Sequence, residues 1–183
     1  MIDIIVGLII FTLTATNSIG NINIQTTKFL SQTKFSLNKR YENKFVNDVF
    51  KDNILLTVKY MDGEVKSRQD IDWSKIIKPF TAEIKLKPNE VFAFHEDVLP
   101  EYKGKIAETT NAHFNSDDGF KSDGYLVGDG VCHLASLMNL AAKKANLEVK
   151  APTSHDFANI PEIPKEYGTS IYYYPGQYSN NAM

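Results

Sequence analysis

The pattern of apolar and polar positions divides the chain into an apolar N-terminal run, several short β-like segments and one long helical period. The helical period is the clearest. Val131, Leu134, Met138, Ala141, Ala142 and Ala145 fall at i, i+3, i+7, i+10, i+11 and i+14, one face of a helix over residues 131–146. Asp129 stands where an N-cap is expected, and Lys143 and Lys144 suit the negative end of the helix dipole. The clearest strand is Phe80 to Leu86, where Phe80, Ala82, Ile84 and Leu86 alternate with Thr81, Glu83 and Lys85.

Weaker patterns fill the rest. Phe45, Val46, Val49 and Phe50 suit one or two helical turns. Asn53 to Met61 (NILLTVKYM) is rich in β-formers and closes on Asp62-Gly63, a hairpin signal, so it predicts a strand with Val65 onward returning. Asp72 to Ile77 predicts a short helix ending before Pro79. Val91 to Phe94, Ile106 to Phe114, Leu147 to Lys150 and Ser170 to Tyr174 predict further strands, and the glycine- and acid-rich 115–130 a surface loop. There is no internal repeat.

The unbroken apolar run from Ile4 to Phe11 extends through threonines to about Ala15. A membrane span needs ~20 apolar residues, and ~10–14 is the length of a signal-peptide core. Residues 1–16 therefore read as a signal or membrane anchor, although Asp3 precedes the run and no small-x-small cleavage site follows it. A buried helix or strand is the alternative. The polar, mildly basic 17–40 (Lys28, Lys34, Lys39, Arg40) reads as a linker or extended lead-in, and 41–183 as one domain. The expected fold is α+β, a mainly antiparallel sheet packed on one central helix at about 131–146.

Composition narrows function by exclusion. A chain of 183 residues can bury one good core, and a net charge of −2 argues against nucleic acid as a partner. A single cysteine, Cys132, forms no internal disulfide, so in an oxidising compartment it is either buried and inert or kept for chemistry.

Chemistry concentrates where the long helix begins. Gly128, Asp129 and Gly130 precede Cys132 and His133. Unpaired N–H groups and the positive end of the dipole favour a thiolate at such a position and could hold an oxyanion. His133 is adjacent in sequence, but neighbours on a helix point ~100° apart, so it is a poor partner for the thiol. His155, in a proline-bounded loop, is the better candidate for general base and then acid, with Asp156 beside it. Free cysteine is also a common buried hydrophobe, which is the competing reading. No CxxC or HxxxH spacing points to a metal, and no cofactor is implied. Asp117, Asp118, Asp123 and Asp129 lack the EF-hand spacing and read as a solvated loop. Gly119, Gly124, Gly128 and Gly130 lack the Walker pattern and read as backbone geometry. Tyr172, Tyr173, Tyr174 and Tyr178 could stack on sugars or pack on a strand.

LKPNEVFAF at 86–94, Gly124-Tyr125, GDGVCH at 128–133, Asn139 and His155 together resemble the VanW-like domain of bacterial cell-envelope proteins, over roughly residues 80–175. Asp129 replaces the family's middle glycine, His133 its glutamine, and no arginine precedes His155, the marks of a divergent branch. The resemblance implies an extracytoplasmic, exported or membrane-anchored protein of a family associated with glycopeptide resistance. By layout it is also similar to papain-like and transglutaminase-like enzymes, a fold-level analogy. Two functions follow as expectations. One is a cysteine-dependent hydrolase or acyl transferase acting on peptidoglycan or its peptide stems, with Cys132 and His155 as its dyad and Asn139 as a secondary candidate. The other is a non-catalytic module that binds cell-wall glycan, peptide or a partner. Contact with a membrane would come from the N-terminal segment, and the sequence sets no oligomeric state.

Overall fold

A computed structural model describes residues 6–19, 22–76, 79–95, 100–102, 104–155 and 158–171. Residues 6–19 form a strand, β1 (Val6–Ile19), and residues 22–36 form its antiparallel neighbour, β2 (Ile22–Ser36). The segment read as signal or anchor thus contributes a sheet strand, and the segment read as linker a second one. Ile9 and Phe11 are buried on one face of β1, alternating with the half-buried Leu8 and Ile10 on the other. Among the described residues no helix is long and apolar enough to cross a membrane.

After β2 the chain enters α1 (Lys44–Met61), started by the Asn43 side chain, which accepts the N–H groups of Phe45 and Val46. NILLTVKYM lies inside this helix, not in a strand. A helix buried on most of its surface carries a nearly continuous apolar run, and periodicity cannot tell such a run from a buried strand. Ile54, Leu55, Leu56, Val58 and Tyr60 are all buried, so tertiary packing outweighs the β-propensity of Thr57 and Val58. The Asp62-Gly63 pair ends the helix instead of turning a hairpin: Asp62 is its C-cap, and Gly63, at φ 72°, donates to the Tyr60 carbonyl.

A one-turn helix, α2 (Trp73–Ile76), leads to β3 (Phe80–Leu86), which lies beside β1 in parallel register. The order β2-β1-β3 makes this sheet mixed, and the second sheet, β4 (Val91–Ala93) with β5 (Ile106–Thr109), is parallel. The expected predominance of antiparallel pairs fails for a topological reason. A parallel neighbour needs a long crossover, and α1 and α2 supply one between β1 and β3 once β1 belongs to the domain. β5 stops at Thr109, short of Phe114, because Asn111 and Phe114 take positive φ. Leu147 to Lys150 form no strand. Ile77 and the tyrosines from 172 onward lie outside the described residues.

The long helix is α3 (Val131–Lys144). Its end is set by Asn146 at φ 57°, where the Asn146 and Leu147 N–H groups donate to the Lys143 and Ala142 carbonyls. α3 touches β1, β2 and α1. The Ser31 hydroxyl of β2 donates to the Ala141 carbonyl at 2.6 Å. The core joins Ile9, Phe11, Ala82 and Ile84 of the sheet with Leu55 and Leu56 of α1 and Leu134, Leu137 and Met138 of α3.

Candidate functional site

α3 begins at Gly130, not at Asp129. Gly130 takes φ 90°, and a Cβ there would lie 2.6 Å from the Phe50 Cα, so glycine lets α1 approach the start of α3. The Asp129 carboxylate turns back and accepts the Asp123 N–H at 3.0 Å. Burial pushes Asp129 up to about 6, with the Asp123 charge adding to it against the Asp123 N–H. Gly128, at φ 87°, lies against the Phe114 carbonyl.

The loop before α3 is held by a residue that the strand reading of α1 concealed. Asn53 is fully buried, and its Nδ2 donates to the carbonyls of Lys121 (2.9 Å) and Asp129 (2.8 Å) while its Oδ1 accepts the Lys121 N–H (2.8 Å). Only a helix places this amide under the loop.

Cys132 is partly exposed in the first turn of α3. Burial pushes its thiol up from the ordinary value, with the Asp129 charge adding to the rise. The Ile171 N–H, the Ser170 hydroxyl and the Cys132 N–H oppose it. The lowering expected at a helix start is therefore outweighed by desolvation. No histidine is among the groups that shift the thiol. Ser170 and Ile171 are brought there by Ser136 of α3. Its buried hydroxyl donates to the Cys132 carbonyl (2.8 Å) and accepts the Thr169 N–H (2.9 Å). Ser136 stands one helical turn after Cys132, a spacing visible in the sequence.

The histidines meet elsewhere. His133 is buried, its ring edge-on to Phe50 (centroids 5.0 Å apart) and to His155 (6.0 Å). Burial pushes His133 down to about 3, and the charge of Arg40 and the neighbouring His155 push the same way. It is a neutral imidazole. Arg40, with its side chain fully buried, donates to the carbonyls of Ser36 (2.8 Å) and Pro161 (3.3 Å) and to Glu162 (2.5 Å). His155 is placed by its N–H bond to the Gly168 carbonyl (3.1 Å) and by the neighbouring bridge from Ser154 to Thr169. The structure thus brings His155 to His133, and Cys132 to Ser170 and Ile171. Asp156 lies outside the described residues.

Beside α3 lies a cleft of about 490 Å³, walled by Phe92 and Phe94 of the β4 segment, Met138 and Ala142 of α3, and Leu147 and Val149 after it. Ser170 and Ile171 form one part of its lining, so the groups that reach the thiol also face the cleft. Two polar atoms of cleft residues, Asn139 Oδ1 and His95 Nδ1, are buried without a hydrogen-bond partner among the described residues. The Asn139 Nδ2 is fixed on the Tyr167 carbonyl at 3.0 Å. Apolar walls with a few oriented polar groups are the usual make-up of a ligand site. His113 is exposed and paired with Asp118 at 2.9 Å. Among the described residues no three metal-ligating side chains converge.

No family model matches the chain, and neither a curated protein nor a solved structure matches it.

Proposed function

We propose that this chain is a divergent VanW-like module of the cell envelope that binds an extended peptide, such as a peptidoglycan stem, in the cleft beside α3. The observation that carries the reading is a pair of buried polar atoms without a partner among the described residues, Asn139 Oδ1 and His95 Nδ1, on residues of a largely apolar cleft. A buried acceptor without a partner costs about 1–3 kcal/mol, and a peptide N–H would recover that. In this reading the domain is an α+β unit organised on α3 on the extracytoplasmic side. Residues 6–19 stay in it as β1, because Ile9 and Phe11 belong to the core.

The test is calorimetric titration of the full chain with soluble peptidoglycan fragments carrying or lacking their peptide stems. Binding of the stem-bearing fragments alone, weakened about tenfold or more in Asn139→Leu with folding intact, is the expected result. Equal binding of both fragments, or no binding at all, overturns it.

A second reading has its own support. Ser170 and Ile171 touch both the thiol and the cleft, so a carbonyl bound at that end would meet Cys132. The chain would then be a cysteine-dependent hydrolase or acyl transferase, with Cys132 as nucleophile and the N–H groups at Asp129 and Gly130 as candidate oxyanion donors. His155 would serve as base and then acid only by turning from His133 to the thiol, and the Gly128 N–H is already given to the Lys121 carbonyl. Cys132→Ala separates the two readings. It leaves binding unchanged in both and abolishes stem cleavage or transfer only in the second.

A further inference from the structure

The β1–β2 hairpin outruns the sheet to which it belongs. β3 pairs with β1 only from Gly7 to Leu13, whereas β1 and β2 stay paired from Thr14↔Thr27 to Ile19↔Ile22. That leaves a two-stranded arm about 20 Å long at a strand rise of ~3.4 Å per residue. Residues 24–29 of β2 and Thr16 and Asn17 of β1 are exposed, with Ile24 and Phe29 the large apolar side chains among them. β2 is the outermost strand of its sheet.

Edges of this kind are normally blunted by charge, proline or a bulge. From Ile4 to Thr27 the chain has no charged residue, no histidine and no proline. The one irregularity, between Phe11 and Thr12, sits at the base of the arm. A two-stranded ribbon is also marginal by itself and gains from a third strand.

We propose that the arm pairs with the same arm of a second copy, β2 edge to β2 edge, antiparallel about a two-fold axis. The chemistry selects this occupant. From Ile22 to Thr27 the edge offers main-chain donors and acceptors with no charged side chain, and the one exposed charge near it, Lys28, follows at the base of the arm. A charged partner therefore finds no counter-charge along those six residues. An identical strand matches its uncharged surface, and an isologous contact closes both β2 edges in one step. About half a dozen residues per copy take part, far fewer than the roughly 20–30 of a standard interface, so the dimer is weak and concentration-dependent. The inference does not depend on the cleft.

The experiment is sedimentation of the full chain from low to high micromolar concentration, alongside an Ile24→Lys/Thr26→Lys variant, with amide exchange on both. The wild type moves from the 20.6 kDa chain mass towards twice that value, and its amides over 24–28 slow with concentration. The variant, with an unchanged circular dichroism spectrum, needs at least tenfold more protein to associate. A wild type that stays monomeric overturns the proposal, as does a dimer indifferent to the two lysines. Arm amides that slow only on adding phosphatidylcholine vesicles overturn it too, and assign the arm to a membrane.

Discussion

Cys132 and His133 are neighbours in the chain, and α3 sends them to opposite kinds of surroundings. The Cys132 side of the helix meets Ser170 and Ile171 and continues into the cleft with Met138 and Asn139. The His133 side meets Phe50, His155 and the electrostatic reach of Arg40. Desolvation acts on both and moves them in opposite directions, because the charged form of a thiol is its deprotonated form and that of an imidazole its protonated form. A helix start is therefore no guarantee of a reactive thiol. Burial of the group itself can exceed the help of the dipole.

The largest effect that tests this contrast is on the histidine side. Arg40→Ala leaves the Ser36 and Pro161 carbonyls and the Glu162 carboxylate without their partner, and should cost about 3–5 kcal/mol in urea unfolding. If the variant unfolds at nearly the wild-type urea concentration, the anchoring role of that side is wrong.

A middle-sized effect depends on pH. His133 has a folded value near 3 and an unfolded value of 6.5, so folding opposes its protonation. Its contribution is neutral above about pH 6.5 and becomes a loss as pH falls, on the order of 2 kcal/mol by pH 4.5. Asp129 has the opposite sign. Its folded value, about 6, lies above its unfolded 3.8, so stability rises as pH falls through that window. Thermal unfolding of His133→Gln from pH 7.5 to 4.5 should lose the acid-side decline and keep the Asp129 gain. A variant whose profile parallels the wild type would show that His133 does not carry the decline.

The smallest effect is on the cysteine side. Iodoacetamide should label Cys132 at pH 7.5 more slowly than a free thiol, by about threefold or more, with the rate still rising above pH 8.5. Faster labelling would place the thiol in a more polar setting than its contacts with Ser170 and Ile171 describe.

Legibility followed the kind of signal each element carries. β3 and α3 were readable because one face of each is apolar at a single clean period, and β3 buries Ala82, Ile84 and Leu86 while exposing Thr81, Glu83 and Lys85. Residues 53–61, the second half of α1, read as a strand because they are buried nearly all round and offer no clear period. With them went Asn53, the residue that pins the loop before α3. β1 is not legible as a strand because a short apolar run looks the same whether a membrane or a sheet receives it, and β2 because its polar, mildly basic sequence looks like a linker. The site divides likewise. Cys132 and the two glycines are marked by residue type and position, and Asn139 by the family resemblance alone. Ser170, Arg40 and Phe50 are not, since nothing local marks them, and Ser136 is marked only by its one-turn spacing from Cys132.

By itself the sequence determined the period of α3, its C-terminal stop at Asn146, the alternation of β3, and a single cysteine set in the first turn of a helix after two glycines. These are properties of consecutive residues. Only the tertiary structure decided that β1 lies between β2 and β3, that His155 faces His133, and that Ser170 and Ile171 reach the thiol. It also decided which side of α3 lines the cleft, because α1 approaches Gly130 on one side of α3 and the 169–171 segment is held by Ser136 on the other.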